Sequence, residues 1–114
     1  MSPITTHVLD LSSGRPARGV AVTLSIRTSD DRWEDLALGV TDVDGRVGDL
    51  LPRGTPLAAG IYRLHFDTYD YFLTQDVTSF YPSVVVSFRV DDPSGHFHVP
   101  LLLSPYGYST YRGS

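Results

Sequence analysis

The stretch GVAVTLSIR, residues 19–27, alternates strictly: Val20, Val22, Leu24 and Ile26 fall on one side, and Ala21, Thr23, Ser25 and Arg27 on the other. A period of two, rich in β-branched residues, describes a strand with one face buried. The pattern returns in GIYRLHF (60–66), where Tyr62, Leu64 and Phe66 oppose Arg63 and His65. It returns again in VVVSFRV (84–90), where Val84, Val86, Phe88 and Val90 oppose Ser87 and Arg89. Between these runs lie SSGRPARG (12–19), SDD (29–31), DVDG (42–45), PRGTP (52–56) and DDPSG (91–95). Their Asp, Gly and Pro residues break pairing and set the dihedrals of tight connections. Only YDYFLTQDV (69–77) reads as a short helix. Seven or eight short strands at this spacing predict an all-β, antiparallel two-sheet sandwich.

One segment departs from the rule that the outer face is polar. In HFHVPLLLS (96–104), Phe97, Val99, Leu101 and Leu103 form one face. The other face reads His96, His98, Pro100, Leu102 and Ser104, mixing apolar with titratable groups. A strand apolar on both sides is covered on both sides, and an oligomer is the expected cover.

The totals bound the function. At 114 residues the chain is the size of one domain, residues 1–114, and a hydrophobic fraction of 41% is ordinary for a globular core. Nine basic residues against thirteen acidic give a net charge of −4, the wrong sign for a nucleic-acid binder. There is no cysteine, which excludes disulfides, thiolate metal sites and thiol nucleophiles. The opening MSPITTHVLD has no basic segment followed by an apolar run, and no apolar stretch has the length of a bilayer span. The expectation is a soluble cytoplasmic protein with no membrane partner.

Among candidate chemical groups, His7, His96 and His98 together offer three imidazoles, enough in number for a zinc site. No carboxylate spacing of a metal motif accompanies them, and His-x-His on a strand is a weak signal, so the expectation is no metal. By alternation His7 shares a face with Thr5 and Leu9. Arg46 directly follows the DVDG turn. The chain closes on SPYGYSTYRGS (104–114), with Tyr106, Tyr108 and Tyr111 and an arginine beside the last of them. No nucleophile elbow, P-loop or dinucleotide fingerprint is present.

Four stretches in order, TTHVLDLSSGRPARGVAVTL (5–24), TDVDGRV (41–47), YDYFLTQDVTSFYPSVVVSF (69–88) and HFHVPLLLSPYGYSTYRGS (96–114), resemble the transthyretin-related family of 5-hydroxyisourate hydrolases. The terminal YRGS is the most specific element, since thyroid-hormone carriers of the same fold end differently. The resemblance implies a transthyretin-like, eight-stranded antiparallel β-sandwich with one short helix, assembled as a homotetramer from two dimers. It implies hydrolysis of 5-hydroxyisourate to 2-oxo-4-hydroxy-4-carboxy-5-ureidoimidazoline in urate breakdown, without a cofactor. Carried over residue by residue, the family's catalytic positions are His7, Arg46, His98 and Tyr111. Arg112 and Ser114 join His7, Arg46 and Tyr111 in binding the substrate, and His96 receives no catalytic role. Two other readings stand beside this one. A carrier would hold an aromatic ligand in the tetramer channel without reacting, and would not need these four polar groups. A structural or adhesion-type sandwich would be a monomer with a solvated 96–104 face.

Overall fold

In a computed structural model, residues 2–114 are described. The elements in chain order are β1 (Ile4–Asp10), β2 (Arg15–Pro16), β3 (Ala21–Ser29), β4 (Arg32–Val40), β5 (Gly60–Phe66), α1 (Thr68–Thr74), β6 (Val84–Val90), β7 (Phe97–Ser104) and β8 (Gly107–Thr110). They form two four-stranded sheets, one ordered β2-β1-β7-β8 and the other β4-β3-β5-β6. The alternation places the core. Ile4 and Val8 of β1 join Phe97, Val99, Leu101 and Leu103 of β7 against Val22 and Leu24 of β3 and Tyr62, Leu64 and Phe66 of β5. Burying each large apolar side chain of this kind contributes about 1.5–3 kcal/mol, so this shared layer holds the sheets together. The fold is mostly β, with eight strands and one helix among the described residues.

Two expectations change in detail. The sheets are not antiparallel throughout: β1 and β7 run parallel, with Thr5 opposite His98 and His7 opposite Pro100. Short turns dictate polarity only between strands that follow one another, and β1 and β7 lie near opposite ends of the chain. The helix begins one residue earlier than expected, capped by Asp67, whose carboxylate accepts from the amide of Asp70. It ends at Thr74 instead of continuing to residue 77, because Asp76 takes a left-handed backbone, φ 57°. The amides of Asp76 and Val77 then fold back onto the carbonyls of Leu73 and Phe72, each at 3.0 Å, closing the last turn.

The helix is tied to β1 by one polar contact. Tyr71 donates its hydroxyl to buried Asp10 at 2.7 Å, while Ser12 and Ser13 donate to the other carboxylate oxygen. Burial opposes ionisation of Asp10, but these hydrogen bonds outweigh it and hold the carboxyl below its ordinary value. For Tyr71, burial and the neighbouring carboxylate push the phenol upward, so it remains a donor. No helix among the described residues is long and apolar enough to cross a membrane.

Candidate active site

The outer face of β1 presents Thr5, His7 and Leu9, the half-buried positions of an otherwise buried strand. Parallel pairing sets Thr5 beside His98 on β7, whose outer face also carries Pro100 and Leu102. Thr5 Oγ1 lies 2.8 Å from Nδ1 of His98 and 3.2 Å from Nε2 of His96. His7 donates Nε2–H to the carbonyl of Asp44 at 2.8 Å. A carbonyl only accepts, so the hydrogen on that nitrogen is fixed, and in neutral His7 the lone pair belongs to Nδ1.

The DVDG turn delivers Arg46 to the same place. Asp42 accepts from the amides of Asp44 (2.9 Å) and Arg46 (3.1 Å), and its own amide donates to the Arg46 carbonyl at 2.8 Å. Gly45 closes the turn at φ +76°, and a Cβ there would lie 2.4 Å from the carbonyl oxygen of Val8. Only glycine fits, because that backbone conformation and that approach both exclude a side chain. The turn therefore docks on β1, with Val8 N donating to Gly45 O at 2.8 Å and a bridge joining His7 to Arg46. Among the described residues the one ion pair is Arg89–Asp91, so the Arg46 guanidinium has no carboxylate partner.

The C-terminal segment completes the enclosure. β8 runs antiparallel to β7, with Leu101 opposite Thr110, and the bridge of His98 to Gly113 continues the same register. That register puts Tyr111 across from Pro100. Proline has no N–H, which explains why the ladder lapses at Tyr111 and Arg112 before resuming with Gly113 N donating to His98 O at 2.8 Å. Cross-strand neighbours share a face, so Tyr111 points to the side of His98 while Arg112 points to the other. The Arg112 guanidinium rests over the Phe97 ring, 4.8 Å from its centroid. Gly113 sits directly against His98: a Cβ there would come within 2.5 Å of Cδ2 of the imidazole.

The result is a cavity of about 420 Å³ lined by Thr5, His7, Arg46, His96, His98, Tyr111, Gly113 and Ser114. Five of the six residues expected from the sequence, His7, Arg46, His98, Tyr111 and Ser114, meet there. Arg112 lines an adjoining groove of about 320 Å³ with Phe88, Phe97 and Tyr111. Thr5 and Gly113 were not singled out from the sequence, since neither type carries a chemical signal without the strand register. The described residues contain no group of three His, Cys, Asp or Glu side chains arranged to hold a metal ion.

His98 is held below the usual imidazole range. Burial is the larger cause, followed by the charge of the Arg46 guanidinium and by Coulombic repulsion from the neighbouring imidazoles of His7 and His96 in their protonated forms, and the Thr5 contact opposes them. At neutral pH it is therefore an uncharged base. A neutral imidazole, an unpaired guanidinium and a phenol around one cavity can deprotonate a water, stabilise a developing oxyanion and orient a planar polar ligand.

Comparison with known proteins agrees with this chemistry. The model of the HIUase/Transthyretin family matches residues 4–113. The 5-hydroxyisourate hydrolase of Caulobacter vibrioides is 48% identical, covering 100% of both chains. Among solved structures, Klebsiella pneumoniae 5-hydroxyisourate hydrolase superposes with a TM-score of 0.84 at 40% identity, covering 97% of this chain and 98% of that one. Sea bream transthyretin in complex with thyroxine superposes with a TM-score of 0.89 at 37% identity, covering 97% and 94%. A thyroxine-bound transthyretin and a 5-hydroxyisourate hydrolase thus share this architecture, and the backbone alone does not separate them.

Proposed function

The chain belongs to the HIUase/Transthyretin family, and on that premise we propose that residues 1–114 form one catalytic unit that hydrolyses 5-hydroxyisourate to 2-oxo-4-hydroxy-4-carboxy-5-ureidoimidazoline, a step of urate breakdown. The hydrolase reading is favoured over the carrier by one observation above all: the cavity is walled by His7, Arg46, His98 and Tyr111, where a carrier of an apolar ring needs apolar walls.

In the proposed reaction His98 is the general base. Its Nδ1 is engaged by Thr5, which leaves Nε2 to take a proton from water as the water oxygen bonds to the ring carbonyl carbon. The carbonyl oxygen becomes an oxyanion facing Arg46, whose charge is permanent and whose donors form a rigid fork. Collapse of the tetrahedral intermediate re-forms the carbonyl and breaks the C–N bond. The departing nitrogen takes the proton back from His98 and becomes the end of the ureido group, and the attacked carbon becomes the carboxyl. His7, held by the Asp44 carbonyl, and the Tyr111 hydroxyl orient the substrate edge, with Ser114 at the rim. Arg112 serves through its stacking on Phe97, pinning the segment that carries Tyr111.

We assign the assembly as a homotetramer of two dimers, with the cavity at a subunit seam. Tyr111 is 58% exposed in the single chain, and a neighbouring subunit would close the site and exclude water.

The direct test follows 5-hydroxyisourate optically with and without the protein, because the compound also decays spontaneously. Decay accelerated in proportion to enzyme concentration is the expected outcome. Tight binding of the compound with an unchanged decay rate would establish the carrier instead. Within the same assay, Gly113→Ala tests the pinned tail. The added methyl must displace the His98 ring, and misplacement of a catalytic group by about 1 Å can cost on the order of 10²-fold in rate. A loss of that order in kcat, with the melting temperature moved by only a few degrees, is predicted; wild-type turnover would contradict the packing role of Gly113.

A further inference from the structure

His96 is the one titratable group on the cavity that the reaction above leaves unused. It is exposed to solvent, stands just before β7 two residues from His98, and its Nε2 lies 3.2 Å from the Thr5 hydroxyl that already touches Nδ1 of His98. Thr5 is half-buried between them, held in β1 by its register with His98. A hydroxyl has one hydrogen to give and two lone pairs to offer. It can therefore satisfy both imidazoles only if at least one of the two facing nitrogens carries a hydrogen.

We propose, on the basis of the hydrolase reading, that His96, Thr5 and His98 form a proton relay in which Thr5 is a positioning residue: its hydroxyl accepts Nδ1–H of His98 and donates to Nε2 of His96, leaving the lone pair of His98 on Nε2. The direction follows from the base role. A neutral imidazole has a single N–H, and any hydrogen on Nε2 would deny that nitrogen to the attacking water. Thr5 acts through His98 and does not itself touch the reacting atoms.

The relay also gives the captured proton somewhere to go. When Nε2 of His98 takes a proton from water, Nδ1–H passes to the Thr5 oxygen while the Thr5 hydrogen moves to Nε2 of His96. His98 is then neutral with its hydrogen on Nε2, and the positive charge resides on His96 at the solvent edge. This removes a cation from beside the Arg46 guanidinium, whose like charge opposes it. When Nε2–H is delivered to the departing nitrogen, the two transfers reverse, His96 returns to neutral and His98 regains its hydrogen on Nδ1. No proton is gained or lost over the cycle, and no co-reactant is needed.

The test combines imidazole ¹⁵N spectra of the full chain with steady-state kinetics. In the resting enzyme, His98 should show a protonated Nδ1 and an unprotonated Nε2. Thr5→Val, which keeps the β-branched shape, should depopulate that tautomer and lower kcat by roughly 10- to 100-fold, less than removal of the base itself. KM should stay within about twofold, the split expected when a transition-state interaction alone is lost. Thr5→Ser should restore both tautomer and kcat. His96→Gln, which still accepts from Thr5, should keep the tautomer and yet lower kcat. An unprotonated Nδ1 in the wild type, or a Thr5→Val enzyme with unchanged tautomer and kcat, overturns the relay. Failure of the wild type to hydrolyse the compound overturns the proposed function instead, and the spectra still decide the hydrogen-bond pattern independently.

Discussion

Replacing His98 by alanine is expected to lower kcat for 5-hydroxyisourate by about 10²–10⁴-fold, the usual contribution of a positioned acid–base group. The substitution removes the only imidazole in the cavity that is both held uncharged and free of protein partners at Nε2. His7 cannot offer Nε2 in its place, because that nitrogen carries the hydrogen donated to the Asp44 carbonyl. The fold should tolerate the change. His98 lies on the outer face of β7, and the core residues Phe97 and Val99 that flank it are untouched. Circular dichroism and the oligomeric state should match the wild type, so the loss would register as chemistry. A variant retaining full turnover would remove His98 from the reaction.

Arg46→Gln is expected to cost on the order of 10²–10³-fold in kcat, about 2.7–4 kcal/mol, the effect of deleting one oxyanion donor in a closed site. The DVDG turn uses the backbone of Arg46, not its guanidinium, so the turn and its docking on β1 survive. A second signature separates this role from simple substrate binding. Arg46 is one of the charges that hold His98 below its ordinary value. The base form of His98 therefore persists in the wild type below the ordinary imidazole pKa of about 6.5. Removing Arg46 raises the His98 pKa, so the acid limb of kcat/KM should move to higher pH. A variant with reduced turnover and an unshifted limb would confine Arg46 to charge stabilisation; unchanged turnover would remove it from the site.

The strands were legible wherever one face is buried and the other wet, as in residues 19–27 and 60–66, because alternation records burial directly. What the chain did not reveal was polarity between distant strands. β1 and β7 run parallel, and that pairing sets Thr5 beside His98 across 93 positions of sequence. Alternation placed Thr5 on the face of His7, but no periodicity encodes its contact with His98. The fate of Arg112 had the same cause. Adjacent to Tyr111, it was grouped with it, yet neighbours on an extended segment point to opposite faces, and Arg112 stacks on Phe97 outside the His98 cavity. The helix end was missed for a local reason, the left-handed turn at Asp76.

The central claim is that one planar, purine-derived ring reacts in the cavity between His7, Arg46, His98 and Tyr111. A crystal structure of the assembled protein soaked with a hydrolysis-resistant analogue of that ring measures it most directly. The account predicts the ring carbonyl within hydrogen-bonding distance of the Arg46 guanidinium and a water held between the ring and Nε2 of His98. An analogue seated in the neighbouring groove beside Arg112 and Phe88, with the His98 cavity filled by solvent alone, would contradict it.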